Sequence, residues 1–325
     1  MPRHSLRAGG VLVSFVLLVG LFAPVLSNDK PIFLWTREGR VLLPPLADYP
    51  IPARWKTPIA GNETLWKITP EEAWIRIPAL IPYSVTEIDL DSILQPPSRR
   101  HWLGTDRLGR DVAARWVHGA AVSITVGIFA MLISLGIGVL FGSTAGYFGG
   151  ISDTILSRIL EIVFCFPTLF LILALIGMID STGMVPIIAA IGLTRWTGMA
   201  RYVRGEFLSL RERDFVRSAR AAGASNARII FHHILPHSLP PVLVTAAFGV
   251  SGAVLLETAL SFLGFGIQPP TPSWGNILSE GQAALQRGWW LTLGPAAGIF
   301  LTVLGFNLLG DGLRDRLDPI ADGRL

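Results

Sequence analysis

Ala120-Ala-Val-Ser-Ile-Thr-Val-Gly-Ile-Phe-Ala-Met-Leu-Ile-Ser-Leu-Gly-Ile-Gly-Val-Leu-Phe141 runs for 22 residues without one charged side chain. A helix rises about 1.5 Å per residue, so this stretch reaches across a hydrocarbon core of about 30 Å. Five other apolar runs obey the same logic: Val11–Leu26, Ile159–Ile179, Val185–Tyr202 interrupted by Arg195, Leu239–Leu263 carrying Glu257, and Trp290–Leu309. In lipid every backbone N–H and C=O has to be satisfied inside its own segment, and none of the runs alternates as a barrel strand does. The pattern predicts an all-α polytopic membrane protein with about six transmembrane helices.

Composition agrees. Of 325 residues, 51% are hydrophobic and 15% charged, against about a quarter charged in a soluble domain. The single cysteine, Cys165, excludes an intrachain disulfide. A net charge of +4 suits anionic lipid as well as nucleic acid. Placement of the charges favours membrane lipid as the partner and no nucleic acid, because the basic residues sort by side. Taking the N-terminus as inside, the inner pieces hold Arg3, Arg7, Arg158, Arg201, Arg204, Arg211, Arg213, Arg217, Arg220, Arg228, Arg314, Arg316 and Arg324. The two short exported loops hold only Arg287. Short loops rich in Lys and Arg stay inside, which predicts an N-in, C-in multi-pass protein of a bacterial inner membrane.

The chain then divides into a first transmembrane helix over 1–26, an exported segment over 27–118, a five-helix core over 119–310 and a cytoplasmic tail over 311–325. Val25-Leu-Ser27 also fits a signal-peptidase site. Retained or cleaved, the first helix exports the 27–118 segment. That segment holds 11 of the 23 prolines and six of the ten tryptophans. Proline resists helix interiors and central strands, so this long loop reads as an irregular or β-rich cap, with a poorly ordered loop as the alternative. Its Asn62-Glu-Thr64 sequon carries weight only in a glycosylating compartment. Near its end, Asp111 is placed to cap a short helix leading into the second span.

Ser134, Gly138, Gly142, Gly146 and Gly150 recur every four residues, a spacing that puts small residues on one helix face and lets another helix approach closely. Whether that helix belongs to this chain is open, as is whether Gly146 still lies within the helix. The longest inner segment, 204–236, includes Arg211-Glu-Arg-Asp214, Phe215-Val-Arg-Ser-Ala-Arg-Ala-Ala-Gly223 and Ile234-Leu-Pro236. Helix-favouring small residues up to Ala222, a stop at Gly223 and a second helical piece predict two short helices joined by a glycine bend. Pro236 is expected to interrupt the chain before the fifth span. An ordinary basic loop obeying the charge rule remains the plainer reading of these residues.

The order of small residues, Gly223 and Leu235-Pro236 is similar to the coupling loop of ABC importer permeases, whose pattern is Glu-Ala-Ala, three residues, Gly, nine residues, Ile-x-Leu-Pro. Arg217, Ser218 and Ala219 stand at its Glu-Ala-Ala positions, so the acidic position is basic here. Leu103-Gly-Thr-Asp-Arg-Leu-Gly-Arg-Asp111, Ser261-Phe-Leu-Gly-Phe-Gly266, Pro269-Pro-Thr-Pro-Ser-Trp-Gly275 and Asn307-Leu-Leu-Gly-Asp-Gly-Leu-Arg-Asp315 resemble the C-type permease of dipeptide/oligopeptide/nickel importers. Asn28-Asp-Lys-Pro31 and the long exported loop resemble, more weakly, the Yej-type microcin C/oligopeptide branch.

The resemblance implies the type I permease fold of ABC importers and a subunit that forms half of a peptide translocation path. Implied partners are a second homologous permease, cytoplasmic ATPase subunits and a periplasmic solute-binding protein. It assigns contact with the ATPase to Phe215, Val216, Arg217, Ser218, Ala219, Arg220, Ala222, Gly223, Ala224 and Ser225. No enzyme activity and no cofactor are expected in the chain, with ATP bound by the partners. A phosphate-binding loop needs a lysine, and Lys30, Lys56 and Lys67 all fall in the exported segment.

Glu257 is weighed separately. A charge in mid-bilayer is costly and ordinarily faces a cavity or a partner, so Glu257 is either a pathway residue or a hydrogen-bonding link between helices, with Arg195 as a candidate partner. His232, His233 and His237 are not read as metal ligands, since Pro236 falls among them. The alternative function is an ion-coupled secondary transporter using Glu257 and Arg195.

Overall fold

The computed structural model describes residues 2–36, 39–42, 73–179 and 183–317. All six apolar runs fold as helix. They lie in α1 (Pro2–Leu21, with a further turn at Ala23–Leu26), α2 (Val112–Phe148), the pair α3 (Gly150–Phe164) and α4 (Thr168–Met178), α5 (Met184–Leu210), α7 (Asn226–Phe262) and α9 (Trp290–Leu317). Two shorter helices are α6 (Asp214–Ala221) and α8 (Trp274–Ala283). By length and apolar composition α2, α7 and α9 can each cross a membrane, and the α3–α4 pair makes a fourth span if counted as one.

Three details differ from the sequence reading. The run Ile159–Ile179 is not one straight helix: α3 and α4 meet at 91°. Pro167 stands at the break, where it has no N–H to give and forces the preceding residue out of helix. Pro236 does not interrupt the fifth run. A π-helical turn over Ile229–Ile234 carries the helix through it, so α7 extends from Asn226; a wider turn relocates the carbonyl that proline leaves without a donor. The fourth run, with Arg195 inside it, forms a longer helix than its apolar length: α5 continues eight residues past Tyr202 to Leu210.

The chain folds as two compact units. The first comprises 1–13, 125–257 and 301–325. Its core gathers Val203, Phe207, Val216, Ile229, Ile234 and Val254, all fully buried. Here the small-residue face of α2 meets α5. A methyl group added at Gly142 would sit 2.6 Å from the Ala200 carbonyl oxygen, at Gly138 2.6 Å from Met199, and at Gly146 2.6 Å from Phe207. The partner helix is therefore in the same chain, and Gly146 lies inside α2. Gly150 lies outside it, at the start of α3.

The second unit comprises 14–124 and 258–300. Strands β1 (Phe33–Thr36), β2 (Gly39–Leu42) and β3 (Ala73–Ile77) form an antiparallel sheet in the order β2-β1-β3, with Phe33 opposite Leu42 and Ile77. Most of residues 37–72, including Asn62, lie outside the described residues, as does the tail beyond 317. The Leu103–Asp111 motif makes a tight turn. Asp106 accepts backbone N–H groups of Leu108 and Arg110, and Gly109 sits at φ +75°, where a side chain would strike the Asp89 carbonyl. Asp106 also binds Arg110 at 2.7 Å and Arg115 at 2.6 Å, and Arg115 grips Glu280 with bonds of 2.6 and 2.8 Å.

Asp111 accepts the Ala114 N–H at 2.7 Å, capping α2 itself rather than a separate short helix, and lies 2.8 Å from His101 Nδ1. Burial pushes its carboxyl above the usual range, against the pull of the Ala114 and His101 bonds. The Pro269–Gly275 motif ends in Ser273, which caps α8 reciprocally with Asn276, and buries Trp274, whose indole donates to the Trp116 carbonyl at 3.1 Å.

Candidate functional site

α6 is eight residues long, too short to persist alone in water, and is held by its surroundings. Val216 points wholly into the core of the first unit, with Phe215 and Ala219 packed at its edge. Phe215 also stacks on the His237 ring at 4.8 Å. At the other end Gly223 N–H donates to the Arg220 carbonyl at 3.0 Å and Ala224 N–H to the Ala219 carbonyl at 3.1 Å. This bond pair is the Schellman motif, and it puts Gly223 at φ +80°. Nothing lies within 4 Å of a side chain added there, so the backbone angle, not crowding, calls for glycine. Ser225 then caps α7 by accepting the Arg228 N–H.

The bend is tied to the helix ends beside it. Tyr147 near the end of α2 donates to Asn226 Oδ1 at 2.8 Å. Arg211, just past α5, donates to the Gly146 carbonyl at 3.1 Å, and Arg204 on α5 binds Asp153 on α3 at 2.8 Å. A push on the bend therefore reaches α2, α3 and α5 through hydrogen bonds and ion pairs as well as through the chain.

The ten residues assigned to ATPase contact divide by exposure. Arg217, Ser218, Arg220, Ala222, Gly223 and Ser225 are exposed, and Phe215, Ala219 and Ala224 are half-buried. Val216 differs from the other nine: it is fully buried and anchors the segment from within, because the helical period that faces Arg217 and Arg220 outward turns it toward the core. Acidic neighbours on this face are Glu212, 3.7 Å from Arg217, and Asp214 in the first turn of α6. With Arg213, Arg217, Arg220 and Arg228 against these two, the exposed face is net basic.

A second feature of the first unit is a cavity of about 900 Å³ at the α3–α4 elbow, lined on α5 by Thr194, Arg195, Thr197 and Tyr202. Glu257, expected as either a pathway residue or a hydrogen-bonding link, does not line it; it is fully buried in α7. The charged residues that line the cavity are Arg195, Arg201 and Glu206, and Arg195 is half-buried. Its interruption of an apolar run was the sequence signal, but which of two charges meets open space depends on how neighbouring helices pack.

A profile of the family described as "Binding-protein-dependent transport system inner membrane component" matches residues 138–321. The dipeptide transport system permease protein DppC of Alkalihalophilus pseudofirmus is 44% identical over 242 residues, covering 74% of this chain and 79% of that protein. The glutathione transport system permease protein GsiD of Pectobacterium atrosepticum is 40% identical over 241 residues, 74% of this chain and 80% of that one. The oligopeptide transport system permease protein OppC of Bacillus subtilis is 40% identical over 242 residues, 74% and 79% respectively.

Proposed function

Because the chain belongs to the family of binding-protein-dependent transport system inner membrane components, we propose that it is the half-pathway subunit of a peptide importer, driven from the inner face through the bend at Gly223. In this reading a second, homologous permease completes the path, an exported binding protein delivers the peptide, and separate ATPase subunits supply the energy. The chain binds no ATP or other cofactor itself. Segments 1–26, 27–118, 119–310 and 311–325 act as first helix, exported cap, permease core and inner tail, with both termini inside. The ion-coupled alternative has no ground left beside family membership.

The observation that supports this most directly is the exposed, basic face of a bent helix pair whose buried side is tied to α2 and packed on α5, which is itself paired to α3. ATP shifts a two-state equilibrium only through contacts that differ between the states. A rigid bend facing outward supplies such contacts, and its internal ties carry the displacement to the spans. The basic charge at Arg217 and Arg220 calls for an acidic groove on the ATPase.

Gly223→Val tests the lever. A β-branched residue at φ +80° costs on the order of 1–2 kcal/mol and is relieved by unwinding the bend. We expect a complex that assembles normally and loses peptide-stimulated ATPase activity, with Gly223→Asn retaining much of it. Full stimulation in the valine variant overturns the lever. Cysteine labelling that placed Ser218 on the exported side would overturn the orientation.

A further inference from the structure

We propose that Arg195 is a carboxylate-binding residue of the transport path, taking the C-terminal carboxylate of a passing peptide in the cavity at the α3–α4 elbow. This role rests on the peptide-permease reading above and adds a residue and a ligand group to it.

Several polar groups around the cavity are already engaged. Thr194 and Thr197 donate their hydroxyls to the Ala190 and Thr194 carbonyls at 2.7 and 3.2 Å. Arg201 lays its guanidinium 4.8 Å over the Phe164 ring. Two lining groups keep open bonding capacity. The buried Ser134 hydroxyl has no hydrogen-bond partner among the described residues. The half-buried Arg195 guanidinium has no carboxylate within ion-pair distance among them. Glu206 lines the same cavity, but eleven residues along a helix is about 16 Å, too far to neutralise Arg195.

A cation at this depth is retained only with a partner or a use. The guanidinium lies against Gly252 on α7, where an added methyl group would come within 2.8 Å of Nη2 and 3.0 Å of Nη1. A planar fork packed on a glycine, with an unpartnered serine hydroxyl lining the same cavity, suits a carboxylate, which accepts two parallel N–H bonds. A cavity of about 900 Å³ holds a short peptide and its solvent. The same anion chemistry has a second source, an acidic side chain of the other permease, and the test separates the two.

The test uses the assembled importer in lipid nanodiscs without its binding protein, which removes that protein's own selectivity. A diazirine-bearing tripeptide is photolabelled into it in two forms, with a free and with an amidated C-terminus. The expected result is about tenfold stronger labelling by the free-carboxylate form, the scale of one charge-assisted hydrogen bond. Arg195→Gln erases that preference at unchanged complex yield, and Arg195→Lys keeps a few-fold part of it. Gly252→Ala, which leaves the charge and crowds the fork, also reduces it.

Equal labelling by both forms in the wild type overturns the proposal, as does a preference that survives Arg195→Gln. So does an Arg195→Gln variant that loses the second permease while Arg195→Lys keeps it, which would assign the arginine to an intersubunit ion pair. Peptide uptake by the complete system, measured in parallel, keeps the two claims apart. Uptake without carboxylate preference sinks only the role of Arg195, whereas no uptake and no labelling of either form sinks the peptide reading itself.

Discussion

Two arginine-rich regions of the molecule use the same side chain in opposite ways. In the second unit, Arg110 and Arg115 are buried and matched by Asp106 and Glu280, two cations against two anions. In the segment around Gly223, Arg213, Arg217, Arg220 and Arg228 are exposed, and among the described residues Arg217 makes only a long ion pair with the exposed Glu212. A charge neutralised inside the fold holds a shape; a charge left facing outward is available to another molecule. The difference is visible in geometry, since the buried cluster bonds at 2.6–3.3 Å and the exposed pair sits at 3.7 Å.

The sharpest break of this comparison is Arg115→Ala. Arg115 is 2% exposed and touches both carboxylates, so its removal strands buried negative charge at a cost of about 3–5 kcal/mol. We expect little folded protein in detergent by size-exclusion chromatography. A normal elution profile and melting temperature would show the cluster to be dispensable.

Next in size is Gly142→Val, which tests whether the bend at Gly223 has a rigid body to act upon. Its first added carbon lies 2.6 Å from the Ala200 oxygen, and backbone cannot move aside as a flexible side chain does. Forcing α2 from α5 costs about 1–3 kcal/mol by analogy with overpacked cores. The expected signs are a lowered melting temperature and weakened coupling of ATPase activity to peptide. Unchanged coupling would mean that α5 moves without α2.

These two regions were unequally legible in the sequence. The apolar runs, the four-residue spacing of Gly138, Gly142 and Gly146, and the glycine stop after α6 are local patterns, and local patterns set local structure. The turn of 91° at Pro167 and the π-turn that carries α7 through Pro236 were not legible. A proline shows that a helix will be perturbed, but neighbouring packing selects kink, break or wide turn. The burial of Val216 and of Glu257 was not legible for one shared reason. Sequence shows which residues are small or charged, whereas the direction each faces depends on helices distant in the chain. The ion cluster escaped notice because Glu280 lies 170 residues beyond Arg110.

Smaller effects are expected at Asp111, which sits beside the buried cluster and pairs with a titratable histidine. Asp111→Ala removes the cap on α2 and costs about 1 kcal/mol, read as a drop in melting temperature. Asp111→Asn keeps a capping oxygen and costs less. Because burial raises the Asp111 carboxyl, the folded state holds its proton more tightly than the unfolded chain does. The corresponding stabilisation is complete in acid and fades as pH rises through the raised value. The melting temperature of wild type measured against that of the asparagine variant therefore falls from acid to neutral pH; a constant gap would remove the cause assigned here.

The smallest effect on stability, and the most telling, belongs to Arg217. Its pairing with Glu212 is exposed on both sides, and such pairs contribute little to folding. Arg217→Glu should leave the melting temperature unmoved. If the outward arginines face an acidic groove, the same change sets like charges against each other and lowers stimulated ATPase activity by about tenfold, the scale of one close charged contact across an interface. Raising the salt concentration should weaken wild-type coupling and leave less to lose in the variant, since exposed charges are screened within about 10 Å at about 0.1 M. A variant that melts normally and couples normally would leave these arginines as topology markers alone, and the contrast with Arg115 would then concern burial rather than function.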